Sequence, residues 1–284
     1  MKVRLNYRKS LHENINEIYE EIKKLKNKIK GAEEAIKELE NKLRSHEESQ
    51  RVKQKIVKER RFWFEKFRWF ITSKGHLFVA GKDATSNEIL IKKYLEENDL
   101  VFHTSNPGSP FGILKLNHNI EQYFPKIYEI LSKNTNEIDE IEECCIFIGS
   151  FSKLWKQGIG SCDAFYVHAN QVSKKTPSGE YISKGSFMIY GEKNIIKVTL
   201  GLAITKIDND LICGPIKTIE YLSNLFDLDY FILKNGGGKK FSEIVKIISK
   251  HFSVTPDDVQ RIIPSGNAFI HLISPSKNKT LKKQ

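Results

Sequence analysis

A heptad pattern of apolar residues runs along the first part of the chain, between residues 11 and 43. From residue 15 onward the apolar positions alternate between steps of three and four, which is the spacing of one narrow stripe along an α-helix. The stripe, called the heptad seam below, consists of Ile15, Ile18, Ile22, Leu25, Ile29, Ala32, Ile36, Leu39 and Leu43. The other faces are mostly Glu and Lys, so the pattern predicts a coiled-coil helix over residues 1–50.

The heptad seam requires a partner helix, because a single helix in water does not bury so narrow a stripe. Gly31 interrupts the helix interior at a cost of about 1 kcal/mol relative to Ala. Residues 1–10 offer no second helix. The partner is therefore another copy of this chain, another protein, or a helix from the rest of this chain, and the pattern does not choose among them.

A basic connector follows the coiled-coil helix. Residues 51–61 hold six cations against one anion, and the whole chain carries a formal net charge of +11. Such an excess favours a polyanionic partner, because each phosphate that is neutralised releases counterions. Aromatic residues come next, interleaved with cations over residues 62–70. We assign RNA contact to the cations and expect most of the rings, among them Phe67, Trp69 and Phe70, to pack on the core.

The hydrophobic pattern beyond residue 68 predicts an α+β fold. Strands are expected at 69–72, 76–80, 99–104, 111–116, 163–168, 186–190 and 195–204, and helices after Asp83 and at 137–156. Thr85 and Glu88 form the expected capping box of the first of these helices. A small C-terminal unit has the order β-α-α-β. The predicted domains are the coiled-coil helix at 1–50, the connector at 51–61, a mixed α/β domain at 62–215, the small unit at 216–276 and a basic tail at 277–284.

Residue types alone assemble no catalytic or metal-binding motif. The eight histidines never approach metal-ligand spacing, and neither HExxH nor GxSxG occurs. The glycines at 236–238 lack the GxxxxGK[ST] spacing of a phosphate loop, which favours a flexible basic loop. His103, expected near Asp99, is a candidate base, RNA contact or structural histidine. We therefore predict no enzyme and no cofactor or metal.

The spacing of the cysteines and the hydropathy of the chain indicate in which cellular compartment the protein is found. Cys144, Cys145, Cys162 and Cys213 show no CxxC spacing, which predicts buried free thiols in a reducing compartment. No stretch approaches the roughly 18 apolar residues that a membrane span needs. We expect a cytoplasmic protein without a membrane partner.

A polar loop over residues 171–181 combines small hydroxyl side chains, paired lysines and a glycine turn. Such a loop presents backbone N–H groups and cations to phosphate. Ordinary surface loops share this composition, so the loop alone does not decide between the two.

Taken together, these segments resemble the NFACT family of ribosome-associated quality-control proteins, and most closely its archaeal members. The matching blocks are residues 63–70, 81–84 with Asn87 and Glu88, 92–94, 171–181, 185–189, Gly191 with Lys193 and Asn194, and 213–215. Residues 8–10, 13–14 and 31–36 are similar to the family's second coiled-coil helix. Three positions depart from the family pattern: Thr104 and Ser105 follow His103 in place of Ala and an acid, and Tyr190 replaces an Arg.

The resemblance implies an RNA-binding-type domain at 62–215 that acts on a stalled large ribosomal subunit with peptidyl-tRNA and recruits tRNA for C-terminal tailing. Nine residues are predicted to contact RNA: Lys55, Lys58, Arg60, Arg61, Lys82, Lys174, Lys175, Lys184 and Lys193. The family residues associated with tailing lie largely outside this chain, so we expect no tailing by this chain alone.

The resemblance also bears on the unpartnered heptad seam. Family members begin with a glycosylase-like domain, a helix-hairpin-helix domain and a first coiled-coil helix, and this chain starts just before the second one. We therefore expect the C-terminal half of a split NFACT protein, whose seam pairs with a separately encoded N-terminal half. Three alternatives stay open: a general nucleic-acid-binding module, a coiled-coil scaffold, and a hydrolase that depends on His103.

Overall fold

The computed structural model describes residues 5–55, 62–117, 120–133, 137–175 and 182–275, with the backbone alone at 41–55 and 132–133. The chain divides into two compact units, Met1–Arg61 and Phe62–Gln284. We call them the helical unit and the globular body and describe each by itself.

The helical unit contains one helix, α1 (Leu11–Lys55), of 45 residues. Its start is a capping box: the Glu13 carboxylate accepts from the backbone N–H of Ser10 at 2.7 Å, and the Ser10 hydroxyl accepts from the backbone N–H of Glu13 at 3.3 Å. The helix passes through Gly31 without a break and continues to Lys55, five residues into the predicted connector. Residues 56–61 lie outside the described residues.

The described part of the heptad seam, from Ile15 to Leu39, is largely exposed along α1. Six of its members, Ile15, Ile22, Leu25, Ile29, Ile36 and Leu39, are between 40% and 59% exposed. The predicted long helix is confirmed, although it begins at Leu11 and ends at Lys55 where 1–50 was expected. The pairing of the seam with a second helix stays a prediction.

The globular body contains two main antiparallel sheets. The first has the order β1-β2-β4-β3-β5-β8, with strands β1 (Arg68–Ile71), β2 (Leu77–Ala80), β3 (Leu100–Thr104), β4 (Gly112–Lys115), β5 (Ser161–His168) and β8 (Asn194–Thr199). The second has the order β10-β9-β11-β12, with strands β9 (Leu202–Ile207), β10 (Asp210–Pro215), β11 (Tyr230–Lys239) and β12 (Ala268–Ile273). A short pair, β6 (Val172–Ser173) and β7 (Met188–Ile189), lies in the polar loop region.

Seven helices are described in the globular body: α2 (Ala84–Tyr94), α3 (Pro125–Lys133), α4 (Glu140–Ser150), α5 (Lys153–Lys156), α6 (Ile216–Phe226), α7 (Phe241–Phe252) and α8 (Pro256–Ile262). The central helix is α4, which packs against β3, β5 and β8 of the first sheet and against β10 of the second. Its residues Cys144, Cys145, Phe147 and Ile148 are buried in the core. The α+β fold is therefore confirmed.

The C-terminal strands share a sheet with residues before position 216. β11 pairs with β9 through Tyr230 opposite Thr205 and Leu233 opposite Leu202. The predicted β-α-α-β order is present, and the boundary drawn at residue 216 passes through this sheet. The glycines at 236–238 fall within the bounds of β11 but form a bulge there: Asn235 and Lys239 both pair with Ala268, and each of the three glycines has a positive φ.

Two long predicted elements are each two elements in the structure. The helix predicted over 137–156 ends at Ser150, and Ser152 caps the separate helix α5 by accepting from the backbone N–H of Leu154 at 3.2 Å. The strand predicted over 195–204 ends at Thr199, and β9 begins at Leu202 in the other sheet. The chain changes sheets at Gly201, where a Cβ would collide with the Ile216 side chain.

Three smaller predictions also need correction. The cap of α2 is Asp83 with Ser86, not Thr85 with Glu88. The strand predicted at 186–190 is reduced to Met188–Ile189, and α3 had not been predicted. The hairpin β1–β2, the buried rings of Phe67 and Phe70, and the four buried free cysteines agree with the sequence analysis. No described helix has the length and apolar character needed to cross a membrane.

Candidate nucleic-acid interface

A cleft of about 570 Å³ opens in the globular body beside the first turn of α2. Its walls are the start of α2, the turn between β3 and β4, and residues 184–193. The residues that line it include four cations, Arg68, Lys82, Lys184 and Lys193, and one carboxylate, Asp83. The lining therefore has an excess of positive charge in a concave site.

Arg68 lies at one wall of the cleft, on β1. Its Nη1 donates to the carbonyl oxygen of Gly81 at 2.7 Å, and its guanidinium carbon lies 4.7 Å from the ring centroid of Phe151. Burial lowers the pKa of Arg68 to about 10, and the charge of Asp83 acts in the opposite direction. The side chain is therefore still a cation at neutral pH, and it holds the segment that leads into α2.

The first turn of α2 is fixed by its own polar groups. The Asp83 carboxylate accepts from the backbone N–H of Ser86 at 2.8 Å, and the Ser86 hydroxyl accepts from the backbone N–H of Lys82 at 2.7 Å. The hydrogen bond from Ser86 is the main reason why the pKa of Asp83 is below its ordinary value. Gly81 has no space for a side chain, because a Cβ there would collide with Asn87. Lys82 is therefore carried on a rigid turn.

A second fixed arrangement, called the Glu88 clamp below, joins α2 to the opposite wall. The Glu88 carboxylate accepts from the backbone N–H of Gly185 at 2.8 Å and pairs with the Lys174 ammonium at 2.9 Å and the Lys92 ammonium at 2.6 Å. Hydrogen bonds from Lys92, Lys174 and Gly185 lower the pKa of Glu88 to about 2. The clamp thereby holds the segment that carries Lys184 against the start of α2.

Gly185 makes the close approach in the clamp possible. Its φ is +78°, in the left-handed region that L side chains rarely adopt, and a Cβ would collide with the backbone of Ala84. Lys174 also donates to the carbonyl oxygen of Ser183 at 3.0 Å and lies 4.8 Å from the Phe187 ring centroid. The segment around Gly185 is therefore positioned by contacts to both its backbone and its side chains.

His103 lies in the floor of the cleft within a group of rings. Its ring centroid is 4.5 Å from that of Phe111 and 5.9 Å from that of Phe165. Nδ1 is 2.7 Å from the carbonyl oxygen of Thr104. Burial lowers the pKa of His103, and the nearby charge of Lys193 adds to that effect. Asp99 is engaged elsewhere, by an ion pair with Lys115 at 2.7 Å, so the expected His103–Asp99 pair is not formed.

The structure brings together three of the nine residues predicted to contact RNA. Lys82, Lys184 and Lys193 line the cleft. Lys174 is held in the Glu88 clamp, so its ammonium is engaged by a carboxylate of the same chain. Lys175 is exposed beside the clamp, and its carbonyl oxygen accepts from the Tyr190 hydroxyl at 2.6 Å. Their roles in RNA binding stay predictions.

The connector residues belong to the helical unit or lie outside the described residues. Lys55 is the last residue of α1, in the helical unit. Lys58, Arg60 and Arg61 lie outside the described residues, and so do residues 176–181 of the polar loop. The predicted contacts at these positions stay predictions.

Sequence reasoning gave Arg68 only a general RNA contact, as one of the cations of residues 62–70, and did not predict the contacts that Arg68 and Glu88 make. Arg68 stands in an aromatic segment whose rings were assigned to packing, and its partners Gly81 and Phe151 are distant in sequence. Glu88 was interpreted as part of a capping box, whereas its partners Lys174 and Gly185 are distant in sequence. In the described ranges, no three His, Cys, Asp or Glu side chains are grouped so that they could hold a metal ion.

Comparison with known proteins places this cleft in a recognised domain. Residues 66–191 match the family described as "NFACT protein RNA binding domain". The archaeal Rqc2 homolog aRqcH of Methanocaldococcus jannaschii is 34% identical over 231 residues, which cover 78% of this chain and 31% of that protein. Lys82, Lys184 and Arg68 fall inside the matched domain, and Lys193 lies just beyond it.

Two animal relatives match a shorter part of the chain. The ribosome quality control complex subunit NEMF homolog of Drosophila melanogaster is 35% identical over 158 residues, 54% of this chain and 14% of that protein. The ribosome quality control complex subunit NEMF of Homo sapiens is 34% identical over 142 residues, 50% of this chain and 12% of that protein. The chain thus spans less than a third of the length of these three curated relatives.

Proposed function

Because the chain belongs to the NFACT family and is of the archaeal type, we propose that it is an RNA-binding component of ribosome-associated quality control. The observation that carries the proposal is the cleft, where four cations face one carboxylate inside a domain of the RNA-binding kind. Cations held at fixed positions neutralise RNA phosphates and release counterions. The proposal gives this chain a binding role in the cytoplasm without a catalytic step.

The RNA partner in this proposal is the large ribosomal subunit, stalled with peptidyl-tRNA, together with tRNA. The names of two relatives, which are subunits of ribosome quality control complexes, support this partner. The positive lining of the cleft supports an RNA surface, because the charge of a ribosomal subunit is dominated by phosphate.

The exposed heptad seam supports the second part of the proposal, a coiled-coil partner. Ile29 is 57% exposed. Covering apolar side chains such as this one with a second helix removes them from water, which stabilises the complex. The occupant we propose is a helix of a separately encoded N-terminal NFACT half. A second copy of this chain is the alternative occupant.

The coiled-coil partner is tested by sedimentation equilibrium of the chain alone and mixed with a candidate N-terminal half. We expect a monomer that forms a one-to-one complex, and Ile29→Asp should abolish that complex. The matched control is Lys24→Asp, because Lys24 lies on α1 outside the seam. A stable homodimer that excludes the candidate half would contradict the proposal.

The RNA part is tested by cosedimentation with large ribosomal subunits from a related archaeon, across a salt series and with duplex DNA as competitor. We expect binding that weakens as salt rises and that resists the DNA. Displacement by an equal mass of DNA would support a general nucleic-acid-binding module instead. If the helical unit alone cosediments with the subunits and the globular body alone does not, the result would support the scaffold alternative.

A further inference from the structure

We propose that the cleft binds one unpaired nucleotide of an RNA strand, with its base inside the cleft and its phosphates at the rim. This inference rests on the proposed function and names the RNA feature that the site selects. The argument uses the size of the cleft, its two kinds of lining and its fixed walls.

The size of the cleft fits a single nucleotide. Pockets for small organic molecules have volumes of roughly 300–1,000 Å³, and this cleft encloses about 570 Å³. A paired RNA strand presents its phosphates on the convex outside of the helix, so a duplex can touch the rim but does not enter a concave site. A base that fills the cleft must first leave the stack.

The lining offers two kinds of surface, one that complements the phosphate of a nucleotide and one that complements its base. Lys82, Lys184 and Lys193 supply positive charge for phosphate oxygens. The partly exposed rings of His103 and Phe187 supply flat surfaces of the kind on which bases stack. A phosphate ion alone would use only the first of these, and an apolar ligand only the second.

The walls are fixed before any ligand arrives. The capped turn of α2 carries Lys82. The Glu88 clamp holds the segment of Lys184 through the backbone N–H of Gly185, which donates to the Glu88 carboxylate at 2.8 Å. Preorganised walls lower the entropy cost of binding, which favours recognition of one defined unit over diffuse attraction to a strand.

Three RNA duplexes of identical paired sequence distinguish the alternatives: one blunt, one with a single bulged adenosine, and one with a bulged abasic residue. The abasic duplex keeps the extra phosphate and removes the base. By fluorescence anisotropy at constant salt, we expect the bulged adenosine to bind about tenfold more tightly than the other two. Equal binding of all three duplexes would overturn the nucleotide proposal and leave RNA binding intact.

Filling the cleft provides the matched variant. Ser105 is exposed on the wall formed by the β3–β4 turn, and Ser105→Phe should remove the preference for the bulge while duplex binding persists. Ser265→Phe is the control, because Ser265 is exposed and does not line the cleft. A thermal melt of each variant reports folding, and a preference that survives in folded Ser105→Phe would contradict the proposal.

Two lysines give an independent measurement that does not require filling the cleft. Lys193→Gln should lower affinity for the bulged duplex more than Lys197→Gln does, since Lys197 is exposed on β8 outside the cleft. Free adenosine monophosphate is the last probe. If it displaces the bulged duplex at equal concentration, the site is one for a free nucleotide and the proposal fails. If none of the three duplexes binds, the proposed function fails as well.

Discussion

The helical unit and the globular body put their apolar residues to opposite uses. In the helical unit Ile29 is 57% exposed, and it belongs to a seam with five other residues of similar exposure. In the globular body Ile148 is fully buried in α4, between strands of two sheets. The difference teaches that one region buries its apolar residues within the chain, whereas the other leaves them on a surface to which we propose that a second helix binds.

The largest expected effect concerns the free energy of unfolding, which should depend strongly on the buried apolar residues of the globular body and weakly on the exposed ones of the helical unit. Phe147→Ala should lower the free energy of unfolding by roughly 3–5 kcal/mol, because its ring contacts the rings of Phe70, Phe78 and Phe151. Ile29→Ala in the isolated chain should change it by about 0.5 kcal/mol or less, as for an exposed position. Urea unfolding checks both, followed by tryptophan fluorescence for the globular body, which holds all three tryptophans, and by far-ultraviolet circular dichroism for α1. Equal losses would break the comparison.

The second prediction compares buried with exposed acids. Glu143 of α4 is 2% exposed and accepts hydrogen bonds from the Ser73 backbone N–H at 3.0 Å and from the Thr218 hydroxyl. Burial raises its pKa to about 7, and the charge of Glu140 adds to that effect. Since the folded state holds this proton more tightly than the unfolded state, stability should fall as pH rises from about 4.5 to about 7.

The loss attributed to Glu143 should reach up to about 3 kcal/mol above pH 7. Glu143→Gln removes the charge and should flatten that part of the stability–pH curve in urea titrations. Glu142→Gln is the control, because its side chain is 39% exposed. An unchanged curve in Glu143→Gln would show that another group causes the pH dependence.

The third prediction sharpens the comparison between the lysines of the two units. Each cleft lysine that neutralises a phosphate should contribute about 0.9 to the slope of log affinity against log salt. Lys184→Gln should therefore lower the slope for the bulged RNA duplex by about that amount. Lys24→Gln on α1 should leave it unchanged. If the α1 variant has the larger effect, the RNA contact lies mainly in the helical unit.

The smallest expected effect concerns the Glu88 clamp. Glu88→Gln removes the carboxylate that holds Lys174 and Gly185, and the wall that carries Lys184 should become less well positioned. We expect RNA affinity to fall by roughly fivefold, the order of one lost charge-assisted contact. A control at Lys92→Gln keeps the contacts to Gly185 and Lys174. If both variants bind RNA like the unchanged chain, the clamp does not position the site.

Local patterns predicted the elements that depend on nearby residues. The heptad seam predicted α1, and the turn at residues 73–75 predicted the β1–β2 hairpin. Two errors fall inside continuous apolar runs, where a single residue ends one element and begins the next. Ser152 caps a new helix within a continuous apolar pattern, and Gly201 lets the chain change sheets within one apolar run.

The cleft was predicted only in part. Lys82, Lys184 and Lys193 were chosen from a basic pattern and a family likeness, and the structure lines one cleft with all three. Lys174 has the same sequence character, but its ammonium pairs with Glu88, which is 86 positions earlier in the chain. Sequence composition cannot show such a pairing, because it depends on the packing of the polar loop against α2.

The most direct measurement is ultraviolet crosslinking of the chain to large ribosomal subunits, with crosslinked peptides identified by mass spectrometry. An RNA-binding cleft predicts crosslinks at His103 near the end of β3, in the β3–β4 turn that follows, and in the segment from Lys184 to Lys193. The same peptides should lose their crosslinks in the Ser105→Phe variant. Crosslinks confined to α1 or to α7, neither of which contributes a residue to the lining of the cleft, would contradict the assignment of RNA binding to the cleft.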